Sequence, residues 1–143
     1  MPKPFIKQLA HVCIFSRDLE KSEAFYREGF GFDTAFIFKR GEEKIGFYLS
    51  LGGRTFVEVF SKDSARYDET NQINHFCFET EDIDGLIAHL RAQGISATDK
   101  KLGADNTWQS WTADPDGVKL EIFQYTPESM QFGSPDTVCQ VDW

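Results

Sequence analysis

The chain contains an internal repeat, and this repeat constrains the fold more than any other feature of the sequence. The segment LAHVCIFSRDLEKSEAFYRE, residues 9–28, aligns with INHFCFETEDIDGLIAHLRA, residues 73–92. The alignment pairs residues of like chemistry: His11 with His75, Cys13 with Cys77, Asp18 with Asp82 and Arg27 with Arg91. A chain of 143 residues has the length of one domain. We therefore predict a single domain, 1–143, built from two repeated modules, about 5–62 and 70–126, and followed by a C-terminal tail, 127–143.

Each module is predicted to fold as a strand, a helix and several further strands. Asp18 and Asp82 suit the N-cap of each helix, because a carboxylate accepts the unpaired N–H groups of a first helical turn. In the second module we expect a strand near Ile95 to Thr98. In the tail, Thr126 is expected to cap a short helix with Pro127 at its first position. This pattern is typical of an α+β protein.

The alternation of side chains along a strand predicts which residues share a face. This alternation places His11 on the same face as Glu58, which lies in the segment TFVEVF. It likewise places His75 on the same face as Glu121, which lies in the segment KLEIF. The opposite positions are mostly apolar, as expected where a sheet packs on helices: Val12, Ile14, Val57, Val59, Phe76, Phe78, Leu120 and Ile122. The two histidines and two glutamates therefore belong to the surface of the sheet that faces away from the helices.

Two imidazoles and two carboxylates form a good ligand set for a divalent metal ion. The two negative charges balance the cation, which removes the cost of desolvating isolated carboxylates. Mixed nitrogen and oxygen ligands suit Zn, Ni, Co, Fe or Mn better than Ca or Mg. A lone strand histidine or glutamate is more often structural, but the recurrence of the same pair in both modules favours a metal site. Cys13 and Cys77 are expected to be small buried hydrophobes, with a place in the pocket wall as the alternative.

The composition excludes several other classes of protein. The net charge of -8 and the pI of about 4.8 argue against nucleic acid and anionic membranes as partners. The three cysteines are widely spaced and do not form the disulfide framework of a small secreted domain. The sequence shows no apolar stretch of membrane-spanning length. A cytoplasmic location is expected.

The motifs resemble those of the vicinal oxygen chelate superfamily, which includes glyoxalase I, methylmalonyl-CoA epimerase, extradiol dioxygenases, fosfomycin-resistance transferases and bleomycin-resistance proteins. The resemblance extends from about Phe5 to Tyr125 and is carried by HVCIFSRDLEKSEAFYREGFGF, FVEVF, NHFCFETEDID and DPDGVKLEIFQY. It implies two βαβββ modules that form a cup-shaped, incomplete barrel, and a homodimer. By position, it places the metal ligands at His11, Glu58, His75 and Glu121.

The resemblance also implies an activity. Four protein ligands in an octahedral shell leave two adjacent positions for the neighbouring oxygens of a small-molecule substrate, which favours a glyoxalase-like lyase or isomerase, or an epimerase. Such an enzyme acts through a metal-stabilised enediolate. Glu121 is the first candidate for the catalytic base, and Glu58 is the second. The alternatives are an Fe(II) extradiol ring-cleaving dioxygenase, in which Glu58 does not bind the metal, and a non-catalytic binding protein.

Four further residues are candidates for contact with the substrate. Arg54 and Phe56 share a predicted face with Glu58, and Lys119 and Phe123 share one with Glu121. Trp108 and Trp111 fall on opposite faces of one strand, so at most one of them is expected to reach the pocket. The segment EVFSKDSARYD replaces the Asn-Trp-containing segment usual in glyoxalase I, a departure that argues against glutathione.

Overall fold

A computed structural model describes residues 5–68 and 70–141 of the chain. It divides the chain into two compact units, Met1–Arg66 and Tyr67–Trp143. Each unit contains one four-stranded mixed sheet and one α-helix, in the same strand-helix-strand-strand-strand order. The α+β class and the twofold repetition of a βαβββ module are therefore confirmed.

The first unit has the strand order β1-β4-β3-β2. Strands β1 and β4 are parallel, whereas β4, β3 and β2 pair antiparallel. The elements are β1 (His11–Ser16), α1 (Leu19–Phe30), β2 (Asp33–Arg40), β3 (Glu43–Ser50) and β4 (Phe56–Ser61). The helix provides the crossover that a parallel strand pair requires.

The second unit repeats this topology with the order β5-β8-β7-β6. Strands β5 and β8 are parallel, and the other neighbouring pairs are antiparallel. The elements are β5 (Phe76–Glu79), α2 (Ile83–Ala92), β6 (Lys101–Leu102), β7 (Trp108–Ala113), β8 (Lys119–Gln124) and a 3₁₀ helix, Met130–Phe132.

Both predicted N-caps are confirmed. The Asp18 carboxylate accepts the N–H of Lys21 at 3.1 Å, and the Asp82 carboxylate accepts the N–H of Gly85 at 3.0 Å. Each bond satisfies one of the N–H groups that the first helical turn leaves without a partner. Helix α1 ends at Gly31, whose φ of 74° is the left-handed conformation that glycine adopts without strain.

The apolar faces pack as the alternation predicts. In the first unit, Phe47, Leu49, Val57 and Val59 are fully buried together with Tyr26 of α1. In the second unit the fully buried side chains include Leu90, Leu120 and Ile122. Burying each such aliphatic side chain contributes roughly 1.5–3 kcal/mol, so these faces fix which side of each sheet remains open.

The segment near Ile95 to Thr98 is not a strand, so that prediction is wrong. Side-chain hydroxyls replace part of the regular backbone ladder there. The backbone N–H of Trp111 donates to Thr98 Oγ1 at 2.9 Å, and Thr112 Oγ1 donates to the carbonyl of Ser96 at 2.6 Å. Serine and threonine compete with backbone pairing in this way. The short strand β6 instead begins at Lys101.

Two other local expectations need correction. Strand β4 begins at Phe56, and Arg54 lies in the preceding turn, where Gly52 and Gly53 have φ of 102° and 58°. In the tail, Thr126 Oγ1 does accept the N–H of Glu128 at 3.2 Å, but the helical turn begins later, at Met130, and is 3₁₀.

In the part of the chain that the structure describes, every helix is too short or too polar to cross a membrane.

Glu23 of α1 joins the helix to two strands of the first unit. Its carboxylate accepts hydrogen bonds from Thr34 of β2 at 2.5 Å and from Lys44 of β3 at 2.8 Å. Burial alone would raise the pKa of Glu23, but the bonds from Lys44 and Thr34 outweigh burial and lower it. A lowered folded-state pKa contributes stability above the unfolded pKa of about 4.3, and that stability is lost as the pH falls through the folded value.

We therefore predict that Glu23→Gln lowers the free energy of unfolding by about 1 kcal/mol near pH 7. The deficit should shrink as the pH falls toward about 3.5, because the wild-type carboxylate is then increasingly protonated. Urea unfolding at both pH values measures this difference. Glu42→Gln, at an exposed turn, is the matched control and should change little. A Glu23→Gln deficit of equal size at both pH values would contradict the account.

Candidate functional site

In the first unit the strand register brings His11 and Glu58 together. The parallel pairing of β1 and β4 sets Cys13 opposite Glu58 and His11 opposite Phe56, so all four lie on one face. The distance between His11 Nε2 and Glu58 Oε1 is 3.8 Å, and the two side chains are 41% and 21% exposed. The face is the open one, opposite the buried valines of β4.

The second unit repeats the arrangement around His75 and Glu121. His75 immediately precedes β5, and the register sets Cys77 opposite Glu121 of β8. His75 Nε2 lies 3.6 Å from Glu121 Oε1, with side-chain exposures of 34% and 10%. Each unit thus supplies one imidazole and one carboxylate from corresponding positions, as the repeat predicts.

Asn74 orients the ring of His75. The amide oxygen of Asn74 lies 2.7 Å from His75 Nδ1. An amide oxygen only accepts hydrogen bonds, so Nδ1 carries the proton and Nε2 presents its lone pair toward Glu121. The hydroxyl of Tyr67 donates to the backbone carbonyl of Asn74 at 2.6 Å and holds this residue in place. In the first unit the aligned residue is Ala10, which has no side-chain amide.

The surroundings of the second pair shift the pKa values of both side chains. Burial, followed by the positive charge of Lys119, lowers the pKa of His75. The imidazole is therefore neutral at physiological pH, as a metal ligand must be. Burial raises the pKa of Glu121, because only 8% of the surface of this residue is exposed. A buried carboxylate of this kind gains from a nearby cation.

The expectation that Cys13 and Cys77 are buried is wrong, since both residues are exposed. They lie on the face that carries the histidines and glutamates, rather than on the face that packs against the helices. Partial enclosure of the sulfur and contact with Glu58 raise the pKa of Cys13 to about 11. Enclosure and the charge of Glu121 raise that of Cys77 to about 12. Both are thiols at physiological pH, which makes them weak nucleophiles.

An aromatic cluster covers the open face of the first sheet. Phe56, a predicted substrate-binding residue, packs on Tyr48 with ring centroids 5.3 Å apart. Tyr48 in turn stacks on Phe36 at 4.6 Å and lies 5.6 Å from the His11 ring. Local sequence spacing does not identify Tyr48 and Phe36 as neighbours of His11, because that relation depends on the order of strands in the sheet. The register of β3 with β4, which sets Tyr48 opposite Glu58, is the signal that identifies them.

Trp111 and Lys119 lie beside the second pair. Trp111 is the register partner of Glu121, and its ring makes an edge contact with the ring of His75 at 4.8 Å. The ammonium of Lys119 lies 4.8 Å from the centroid of the Trp111 ring. Trp108, on the opposite face of β7, contacts Lys100 instead. Only one of the two tryptophans is therefore on the open face of this sheet, as predicted.

Phe123 and Arg54, the other two substrate-binding candidates, differ in their placement. Phe123 follows Glu121 on the same face of β8 and contacts Tyr125, with ring centroids 5.8 Å apart. Arg54 lies in an exposed turn, where the alternation of β4 does not apply. The structure therefore does not support the strand-based reason for placing Arg54 beside Glu58.

The donor atoms of each pair, an imidazole nitrogen and a carboxylate oxygen, are of the types that bind divalent metal ions such as zinc, but they are slightly farther apart than two ligands of one ion. Two adjacent ligands that are each about 2.1 Å from a metal are roughly 3.0–3.4 Å apart. The observed separations of 3.8 and 3.6 Å exceed this range by a few tenths of an ångström and are too long for direct hydrogen bonds. Across residues 5–68 and 70–141, however, no three His, Cys, Asp or Glu side chains are gathered in a group that could hold a metal.

Comparisons with known proteins agree with this architecture. The chain is 28% identical over 147 residues to a lactoylglutathione lyase of Arabidopsis thaliana, covering 98% of this chain and 50% of that protein, so it spans half of this relative's length. It is 29% identical over 139 residues to a trivalent organoarsenical cleaving enzyme of Bacillus sp. strain MD1, covering 91% and 81% of the two chains.

Similarity to solved structures points the same way. The crystal structure of a glyoxalase family protein from Enterococcus faecalis is similar with a TM-score of 0.72 and 28% identity, covering 84% of this chain and 99% of that one. The model of one protein family matches residues 8–122, well over half of the chain. The protein therefore belongs to the Glyoxalase/Bleomycin resistance protein/Dioxygenase superfamily.

Proposed function

We propose that the protein is a metal-dependent lyase, isomerase or epimerase of the glyoxalase type, which moves a proton next to a carbonyl group of a small molecule with two adjacent oxygens. The observation that carries the proposal is the repeated pair of side chains: an imidazole Nε2 and a carboxylate Oε1 lie 3.8 Å apart in one unit and 3.6 Å apart in the other. The relationship to a lactoylglutathione lyase supports it.

In this proposal His11, Glu58, His75 and Glu121 together bind one divalent ion, which is Zn, Ni, Co, Fe or Mn. When bound, the metal supplies a Lewis acid for the two substrate oxygens. The proposal concerns which side chains are ligands, and it holds whether the two pairs come from one chain or from two copies in a homodimer. Asn74 assists by fixing the tautomer that leaves His75 Nε2 available.

Glu121 is proposed to move the proton. Its carboxylate is 10% exposed and lies beside His75 and Trp111, so little bulk water competes for the proton. One carboxylate oxygen accepts the proton from the substrate carbon and returns it to the neighbouring carbon in an isomerisation. In an epimerisation Glu58 would serve the opposite face of the same carbon.

A second candidate is an Fe(II)-dependent ring-cleaving dioxygenase in which Glu58 does not bind the metal. One observation favours it: within the described residues no side-chain hydrogen bond orients the His11 ring, whereas Asn74 orients His75. The pair formed by His11 and Glu58 is therefore the less rigid of the two. We prefer the first candidate because Glu58 occupies the position in its unit that Glu121 occupies in the other.

Substitution of either glutamate should weaken metal binding. We predict that Glu58→Gln and Glu121→Gln each raise the dissociation constant for Zn²⁺ at least tenfold, or about 1.4 kcal/mol, because a neutral amide is a poorer ligand than a carboxylate. Competition with a chromophoric chelator measures the constants. Glu79→Gln is the matched control, since Glu79 is an exposed glutamate of β5 two residues beyond Cys77. A wild-type constant in the Glu58 variant would remove Glu58 from the ligand set.

The proton-transfer role predicts a distinct kinetic effect. With a hemithioacetal of methylglyoxal formed with a small thiol in place of glutathione, metal-loaded wild-type protein should produce a hydroxy thioester. Glu121→Gln, saturated with metal, should lose at least about 100-fold in turnover, as is typical when a general base is removed. Product absorbance and proton exchange in D₂O measure these steps. Fe(II)-dependent oxygen uptake with a catechol, without thioester formation, would favour the second candidate instead.

A further inference from the structure

A shallow cavity of about 430 Å³, widely open to solvent, lies in the second unit beside the candidate metal ligands. Its wall combines the indole of Trp111, the ring of Tyr67 and the stem of Lys119 with small residues, Ala97, Ala113 and Gly117. The volume is within the range of about 300–1,000 Å³ found for small-molecule sites. The cavity is formed by residues of one unit alone, and the proposed ligands His75 and Glu121 lie next to its Trp111 wall.

Three of the hydroxyl groups around the cavity, those of Tyr67, Thr98 and Thr112, form hydrogen bonds within the protein. Thr98 Oγ1 accepts the N–H of Trp111, Thr112 Oγ1 donates to Ser96, and the Tyr67 hydroxyl donates to Asn74. Groups that are already paired contribute little to binding a polar ligand. Hydroxyl groups also carry no charge, so the recognition of a charged ligand in this cavity depends on another residue of its lining.

That residue is Lys119. Its ammonium lies over the Trp111 ring at 4.8 Å, and among the described residues it has no carboxylate within ion-pair distance. Lys100 presents the contrasting case, since it lies over Trp108 at 4.6 Å but also forms a 2.8 Å ion pair with Asp84. An anion bound at Lys119 would gain a charge-assisted hydrogen bond without displacing a carboxylate.

Gly117 lines the cavity beside Tyr67. Gly117 has a φ of 87°, which favours glycine, and a Cβ at this position would lie 3.4 Å from the Cβ of Tyr67. A larger side chain would therefore fill the space between the turn before β8 and Tyr67.

We infer that this cavity binds the non-reacting end of the substrate, and that this end is a monoanion carrying a planar apolar group. The planar group stacks on Trp111, and the anionic group binds the Lys119 ammonium. The inference rests on the proposed function only in assigning the occupant as substrate. It narrows the substrate class away from a large peptide thiol such as glutathione, which carries several charges, toward a small aryl-substituted acid.

Binding by metal-free protein tests the inference separately from catalysis. The probe is phenylacetate. Two control ligands are compared with it: phenylacetamide, which lacks the negative charge, and acetate, which lacks the aromatic ring. In ¹⁵N-labelled protein, phenylacetate should shift the indole N–H signal of Trp111 and leave that of Trp108 unshifted. Phenylacetamide and acetate should each bind at least tenfold more weakly than phenylacetate.

Two variants complete the test. Lys119→Gln should weaken phenylacetate binding at least tenfold and leave phenylacetamide binding unchanged. Lys100→Gln, which removes the corresponding contact between an ammonium group and the ring of Trp108, should leave the binding of both ligands unchanged. The amide spectrum of each variant verifies its fold. The inference is overturned if phenylacetate does not shift the indole N–H signal of Trp111, or if it binds the Lys119→Gln variant as tightly as the wild type. Either result leaves metal binding and the proposed function intact. Conversely, retained binding in a protein that takes up no metal supports the cavity and overturns only the enzyme proposal.

Discussion

The parallel pairing of the first and last strands of each unit is the constraint on which the rest depends. It sets Cys13 opposite Glu58 and Cys77 opposite Glu121, so that the histidine two residues earlier reaches the same carboxylate. A slip of one residue would turn the glutamate toward the buried face, where Val57 and Val59 or Leu120 and Ile122 are packed. The hydrophobic core and the candidate ligands are thus fixed by the same register.

The two units use this register differently. In the second, Asn74 orients the imidazole, and Glu121 is largely buried beside Trp111. In the first, Ala10 replaces the asparagine, and Glu58 is more exposed. Preorganised groups lose less freedom when a ligand binds. We therefore expect the second pair of side chains to lose less freedom than the first when a ligand binds.

The sequence predicted the features that depend on periodicity and failed where pairing between distant segments decides. Three features could be predicted because each follows from local spacing: the repeat, the N-caps at Asp18 and Asp82, and the buried face of each sheet. Tyr48 and Trp111 become neighbours of the histidines only through strand order, which local spacing does not encode. The exposed cysteines were misassigned because cysteine is usually buried, and the strand near Ile95 to Thr98 failed because hydroxyl side chains replace the backbone ladder.

The central claim is that two imidazoles and two carboxylates hold one metal ion. An anomalous-difference map from crystals replenished with Zn²⁺ and recorded at the zinc edge tests it most directly. The account predicts one strong peak per site, about 2.0–2.2 Å from His11, Glu58, His75 and Glu121, with the remaining positions open to water or substrate. Peaks bound by only one of the pairs, or no peak near either pair, would contradict it.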